Sequence, residues 1–243
     1  MPSALKHALE DLLRARRLQR DAPPLRGEDR RLRPLPTGIA AVDGVLGGGF
    51  PRGQSSEVFG PASSGRTGLA LALLAQTTRA GALAAWVDPS DTLDPAAAAA
   101  AGVELRRLLW LRGDTRSRPL PASIAAVGTL VGSGLFDAVV LDLAGVSPGD
   151  VGRLPGATWI RLQRMIEETP AALVLIAGAH VAHGPGGVSL SLQPKAPRWS
   201  GAPGPGRLLR GLTAEARAGR HALRGVGLEL RALGGSSTPE GRR

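Results

Sequence analysis

The sequence predicts an α/β fold with a central, mostly parallel sheet covered by helices on both faces. Three observations predict it. Uninterrupted apolar runs, "ALAAWVD" (82–88), "FDAVVLDLAG" (136–145) and "AALVLIAGAH" (171–180), alternate with helical segments. Strands buried on both faces read as continuous apolar runs, whereas half-exposed strands alternate. A glycine-bounded turn, Gly60 to Gly65, stands between a strand and a helix, which is the setting of a phosphate-binding loop. Finally, 243 residues with 43% hydrophobic content suit one domain with a full core plus tails.

Each element has its own local reason. Segment 1–21 reads as an N-terminal helix over 3–20, with Ser3 able to cap it. Leu5, Leu9, Leu12 and Leu13 form an apolar stripe at helical spacing, and Arg14, Arg16, Arg17 and Arg20 lie on the other face. A helix packed on its own core and an arm docked on a partner both fit that stripe, so these four leucines are the candidate partner-binding residues. Residues 22–36 are a Pro- and charge-rich linker. The core is expected over 37–233. It begins with a strand at 55–60 and a helix at 65–79, then the 82–88 strand and an alanine-rich helix at 94–101 that opens with Asp94-Pro95. A strand at 108–113, a helix at 119–133, the 136–145 strand, a helix at 156–168 and the 171–180 strand follow. Pro and Gly dominate 184–206, and the next strands expected are 211–219 and 226–232. Their apolar–polar alternation predicts an antiparallel C-terminal hairpin at one edge of the sheet. Residues 234–243 read as a disordered tail.

Composition narrows the function. There are no cysteines, so there is no disulfide framework and no cysteine-based metal site. The first 20 residues carry charges throughout and no apolar run reaches about 18 residues, so a cytoplasmic protein without membrane contact is expected. Net charge is +10, which favours an anionic partner, either nucleic acid or an acidic protein surface. Segment 195–243 holds ten basic and three acidic residues. Within it Arg207, Arg210, Arg217, Arg220 and Arg224, with Trp199, are the candidates for contact with DNA phosphates or an acidic partner. All basic residues except Lys6 and Lys195 are arginine, so arginine-rich codon usage is the bland alternative. Aromatics make up 3% of the chain and tyrosine is absent, which argues against stacking on single-stranded bases.

The stretch "EVFGPASSGRTGLAL" carries the chemistry. Gly60, four residues, Gly65, then Arg66 and Thr67 nearly complete the pattern G-x-x-x-x-G-K-[ST]. Successive backbone N–H groups at a helix N-terminus make an anion cradle that needs no side chain. Arg66 stands where lysine is expected, and a planar fork does not replace a compact ammonium at close quarters. Thr67 keeps the hydroxyl that would hold Mg²⁺, and Asp142, ending "AVVLD", stands where a carboxylate would help hold the metal. Gly60, Ser63, Ser64, Gly65, Arg66, Thr67 and Asp142 are thus the candidate nucleotide-binding residues, with ATP or ADP and Mg²⁺ as the cofactors they would take. The competing reading is a bare turn and a buried carboxylate. Asp88, Asp91 and Asp94 read as residues that cap the next helix and solvate the turn. No Cys, Asp or Glu lies near His180 and His183 to complete a metal site.

Residues 35–71, "LPTGIAAVDGVLGGGFPRGQSSEVFGPASSGRTGLAL", resemble the RecA superfamily of recombinases. "WVDPSDTLDP" (86–95) resembles its acidic segment, "AVVLDLAG" its metal-holding strand and "LVLIAGAH" (173–180) the strand after it; the resemblance covers roughly 35–235. It implies a RecA-like P-loop core. It also implies a glutamate in the acidic segment that polarises water, where this chain has Ser90, and a phosphate-sensing glutamine, where it has Gly178 followed by Ala179 and His180. Asp88 and Asp91 lie nearby but out of register. With Arg66 these departures predict no catalytic residue and no efficient hydrolysis. The counterparts of the family's DNA-binding loops, 143–157 and 181–190, carry little charge, against DNA contact by the recombinase route. With the last expected strand close to residue 243, the resemblance leads to the expectation that the family's large C-terminal domain is absent. Within the superfamily the layout most resembles the ImuA family, RecA- and SulA-like accessory proteins of the bacterial mutasome. That implies a non-catalytic role in SOS-induced translesion synthesis and mutagenesis, with RecA or the mutasome polymerase subunits as partners. A slow DNA-dependent ATPase and a SulA-like inhibitor of cell division are the alternatives.

Overall fold

A computed structural model describes residues 3–15, 18, 33–113, 119–167, 169–182, 186–219 and 226–231. In chain order the elements are α1 (Ser3–Ala15), α2 (Ala40–Val45), β1 (Gln54–Phe59), α3 (Arg66–Arg79), β2 (Leu83–Asp88), α4 (Pro95–Ala100), β3 (Leu108–Arg112), α5 (Pro119–Ser133), β4 (Phe136–Asp142), α6 (Pro148–Gly152), α7 (Ala157–Ile166), β5 (Ala172–Ala177), β6 (Ser189–Ser200), β7 (Leu208–Ala218) and β8 (Val226–Arg231). The eight strands form one sheet in the order β3-β2-β4-β5-β1-β6-β7-β8. β1 to β5 pair in parallel, and β1 also pairs in parallel with the start of β6. β6, β7 and β8 run antiparallel to one another. This is the mixed sheet the sequence predicts, with its antiparallel end at the C-terminus.

The apolar runs become strands because both faces are covered. β2, β4 and β5 are buried at every position. Alternate side chains divide between two cores. On one face Trp86, Val140, Val174 and Ile176 meet Leu69 and Leu73 of α3. On the other, Val139, Leu141, Leu173 and Leu175 meet Leu130 of α5 and Leu162 of α7. Leu9 and Leu13 of α1 join this second core, at 8% and 5% exposure. Each such leucine contributes about 1.5–3 kcal/mol, so α1 is part of the packed fold.

The structure differs from the sequence reading at β6. The Pro- and Gly-rich stretch 189–200 is a twelve-residue strand that contains Pro194 and Pro197. Proline lacks the N–H that a ladder needs and is confined to bulges and edges. Here the register shifts between Pro194 and Ala196 and again between Arg198 and Trp199. Pro194 falls at the first irregularity, and Pro197 lies beyond Ser191, where β6 no longer pairs with β1 and has β7 alone as its ladder partner. A second difference lies after β2. Asp88, read as a solvated turn residue, is fully buried. It accepts hydrogen bonds from the Thr92 and Leu93 N–H groups at 2.9 and 2.8 Å and from Trp110 Nε1 at 3.2 Å. Asp94 does cap its helix, accepting from the Ala96 N–H at 2.8 Å.

Candidate functional site

The loop follows β1 at the carboxyl end of the central strands, where crevices form in open α/β sheets. Local sterics set its shape. A side chain at Gly60 would meet the Leu192 carbonyl oxygen at 2.1 Å, and one at Gly65 would meet Leu230 at 2.0 Å. Gly65 also has φ 94° at the N-cap of α3, and Ser63 turns left-handed with φ 59°. Ser64 is fully buried; its N–H donates to the Pro61 carbonyl at 3.2 Å, and its Oγ has no hydrogen-bond partner among the described residues. Thr67 is exposed in the first turn of α3.

Arg66 turns back onto the backbone. Its Nη1 donates to the Gly60 and Ala177 carbonyls, both at 2.6 Å. Those oxygens end β1 and β5, which pair in register with Phe59 opposite Ala177. Gly178 borders the same space: a Cβ there would lie 3.6 Å from Arg66 Nη1. Burial lowers the Arg66 pKa, and the charge of Asp142 opposes the shift.

Asp142 ends β4 and accepts from the Ala144 N–H at 2.9 Å. Burial raises its pKa from 3.8 to about 6; the Ala144 N–H lowers it, the Asp88 charge raises it and Arg66 lowers it. Asp142 and Thr67 line one cavity of about 380 Å³, together with Asp94 and Trp86. A hydroxyl and a buried carboxylate that line one cavity fit a hard divalent cation, which takes oxygen ligands and would offset the cost of the buried charge. A second cavity, of about 400 Å³, is also lined by Thr67 and lies between Ser63–Gly68 and residues of β6 and β7.

The positions implied as catalytic hold no carboxylate. Ser90 packs against Gly145, where an added Cβ would meet Ser90 Oγ at 2.8 Å. Asp91 turns away to pair with Arg112 at 2.7 Å, which lowers its pKa through the Arg112 hydrogen bond. One acid escaped the sequence reading. Glu57 is buried on β1 and accepts from the Val181 N–H at 2.6 Å, with His180 Nδ1 at 2.5 Å. His180 is thus a partner of Glu57. A glutamate between Ser56 and Val58, in the strand that leads into the phosphate loop, was the available signal.

The other candidate residues separate. Leu9 and Leu13 are buried in the protein's own core, so they are not open to a partner in this structure; Leu12 is 40% exposed, and the side chain of Leu5 lies outside the described residues. Arg207 stacks over Trp199 at 5.2 Å, Arg210 Nε donates to Ser200 Oγ at 2.7 Å, and Arg217 pairs with Glu215, which also takes Lys195. Arg220 and Arg224 lie outside the described residues. No described helix is long and apolar enough to cross a membrane.

Comparison with known proteins agrees with this fold. The RecA N-terminal domain family matches residues 24–151. The chain is 47% identical to Protein RecA of Rubrobacter xylanophilus over 109 residues, which is 44% of this chain and 30% of that protein. It is 40% identical to Protein RecA of Prochlorococcus marinus over 138 residues, 54% of this chain and 35% of that protein. With Protein RecA of Acidothermus cellulolyticus the identity is 39% over 142 residues, 57% and 39% of the two chains. The chain therefore spans about a third of the length of the curated relatives it matches. With the RecA N-terminal domain matched across more than half of its residues, the chain belongs to the RecA family.

Proposed function

We propose that this chain is a non-catalytic RecA-family protein that serves as an accessory in SOS-induced translesion synthesis and mutagenesis. It acts through protein–protein contacts with RecA or with the error-prone polymerase complex. The observation that carries the reading is the state of the loop: Arg66 is spent on the Gly60 and Ala177 carbonyls, and Ser90 and Gly178 supply neither a water-polarising acid nor a phosphate sensor. Losing a positioned general base alone costs about 10²–10⁴-fold in rate. The cradle at Ser63–Thr67 still suits a nucleotide held as a structural ligand, with Thr67 and Asp142 holding Mg²⁺. A protomer-shaped protein that does not cycle ATP would cap or remodel a RecA filament. Strand exchange by RecA is the assay: stoichiometric amounts of this protein are expected to change its rate or extent, and an unchanged reaction counts against the proposal.

The second reading, a slow DNA-dependent ATPase, is favoured by Thr67 and Asp142 sharing one cavity. Turnover of labelled ATP with and without single-stranded DNA separates the two. A rate above background that Thr67→Ala abolishes selects the enzyme.

A further inference from the structure

We propose that the crevice at the ends of β2 and β4 is a binding site for a small apolar monocarboxylate, held by Thr158 and Arg161 of α7. Topology opens this crevice. β2 and β4 lie side by side and run parallel. The chain leaves β2 toward α4, whose Ala98 lies in the core on one face, and leaves β4 toward α7, whose Leu162 lies in the core on the other. Adjacent parallel strands whose connections depart to opposite faces leave a gap beyond their carboxyl ends, and ligands settle there. A third cavity, of about 750 Å³, occupies that place, lined by Pro89 and Ser90 after β2 and by Gly145 and Val146 after β4. Its volume suits a small organic molecule. It shares only Gly145 with the cavity of Thr67 and Asp142 and no residue with the one beside Ser63–Gly68, so it stands apart from the phosphate loop.

The lining divides into an apolar wall and a polar one. Leu120 is buried, and Ile124, Val146 and Leu154 are half-buried and packed against the second core, so they offer a firm surface to an apolar body. α7 supplies the polar wall. Thr158 is 2% exposed and lines the cavity, yet its hydroxyl makes no hydrogen bond among the described residues. Buried hydroxyls are normally satisfied, so an acceptor on a ligand is the missing partner. Arg161 lies one turn further along α7, on the same face, and its guanidinium has no carboxylate partner among the described residues. The other charges here are engaged: Arg153 pairs with Asp150 at 2.6 Å, and Ser147 Oγ donates to Asp150 at 2.8 Å. A carboxylate fits what remains, since it meets the Arg161 fork and accepts from the Thr158 hydroxyl. One uncommitted cation matches one negative charge, and Asp150 on the same lining opposes a second, which disfavours a dianionic phosphate.

Calorimetric titration of the full chain with octanoate, octylammonium and acetate tests this, at concentrations below micelle formation. Octanoate is expected to bind about tenfold or more tightly than either of the others, because octylammonium carries the same body with the wrong charge and acetate the same head without the body. Arg161→Gln, at an exposed position, should weaken octanoate about tenfold or more, the size of one charge-assisted hydrogen bond. Thr158→Val keeps the shape and should weaken it severalfold, while Arg153→Gln, whose arginine is engaged with Asp150, should leave it unchanged. Ile124→Trp fills the cavity and should abolish binding. Equal octanoate affinity in wild type and Arg161→Gln overturns the site. Octylammonium binding as tightly as octanoate overturns it too, because the apolar wall would then act alone. A folded wild type that takes no octanoate also overturns it, and leaves the reading of the phosphate loop untouched.

Discussion

The Arg66 guanidinium ties the ends of two neighbouring strands together, and Gly178 leaves it the room to do so. One Nη1 meets the carbonyls of Gly60 and Ala177 at 2.6 Å each. At Gly178 a Cβ would rest 3.6 Å from that nitrogen, so anything longer than a methyl meets the guanidinium. Arg66 and any side chain placed at Gly178 therefore compete for one volume. Gly178→Gln is expected to destabilise the wild type more than it destabilises Arg66→Lys. A double-mutant cycle in denaturant should return a coupling of about 0.5–3 kcal/mol; additive effects would show that the side chains do not compete. Asp142 gives a pH signature. Its folded-state pKa is raised, so the folded protein holds the proton more tightly than the unfolded chain does. Stability from this group is full below its ordinary value of 3.8 and is lost as pH rises through about 6. Asp142→Asn keeps an acceptor for the Ala144 N–H and removes that loss. At about pH 7.5 the variant should be the more stable protein by on the order of 3 kcal/mol at most, and the gap should close near pH 4. Thermal melts across that range without such a convergence would contradict a buried, unpaired carboxylate. The identities of Arg66, Ser90, Gly178 and Asp142 were legible in the sequence. That Arg66 fills the space at Gly178 was not, because it depends on Phe59 standing opposite Ala177 in the sheet.

At the scale of elements, the buried strands were legible and the wet ones less so. β2, β4 and β5 announce themselves because a strand covered on both faces has no polar alternation to confuse it with a helix surface. β6 was hidden because two prolines oppose local strand propensity, and only its ladder to β7 and its register shifts overcome them. Asp88 misled for a related reason. Charge in a turn usually means solvent, yet Asp88 serves as an internal acceptor for the segment leading to α4. Asp88→Ala would leave the Thr92 and Leu93 N–H groups and the Trp110 indole without their acceptor. At about 1–3 kcal/mol for each buried unsatisfied group, the loss should be several kcal/mol in equilibrium unfolding. Asp91→Asn, which tolerates the same left-handed backbone (φ 55°) and removes only the charge of an exposed pair with Arg112, should leave the midpoint nearly unchanged. Equal effects of the two substitutions would place the organising role elsewhere.

For the whole molecule, the question is whether α1 is a wall of the fold or an arm reserved for a partner. Its apolar stripe fits both, since a helix buries the same face against either. The division of labour within the stripe decides. Leu9 and Leu13 enter the core that holds Leu130, Leu162 and Leu175, while Leu12 stays 40% exposed. Stability and association should therefore separate by residue. Leu9→Ala and Leu13→Ala each remove a buried side chain and are expected to cost about 2–3 kcal/mol, the lower part of the range for core leucines because the site lies at the outer layer and can partly collapse. Leu12→Ala should change stability by less than about 0.5 kcal/mol. If α1 also serves a partner, the loss of binding follows Leu12 and not the buried pair, once the variants are compared at temperatures where all remain folded. Should Leu9→Ala and Leu13→Ala leave the melting temperature unmoved, the helix is not part of the packed molecule, and its whole apolar face becomes available for docking.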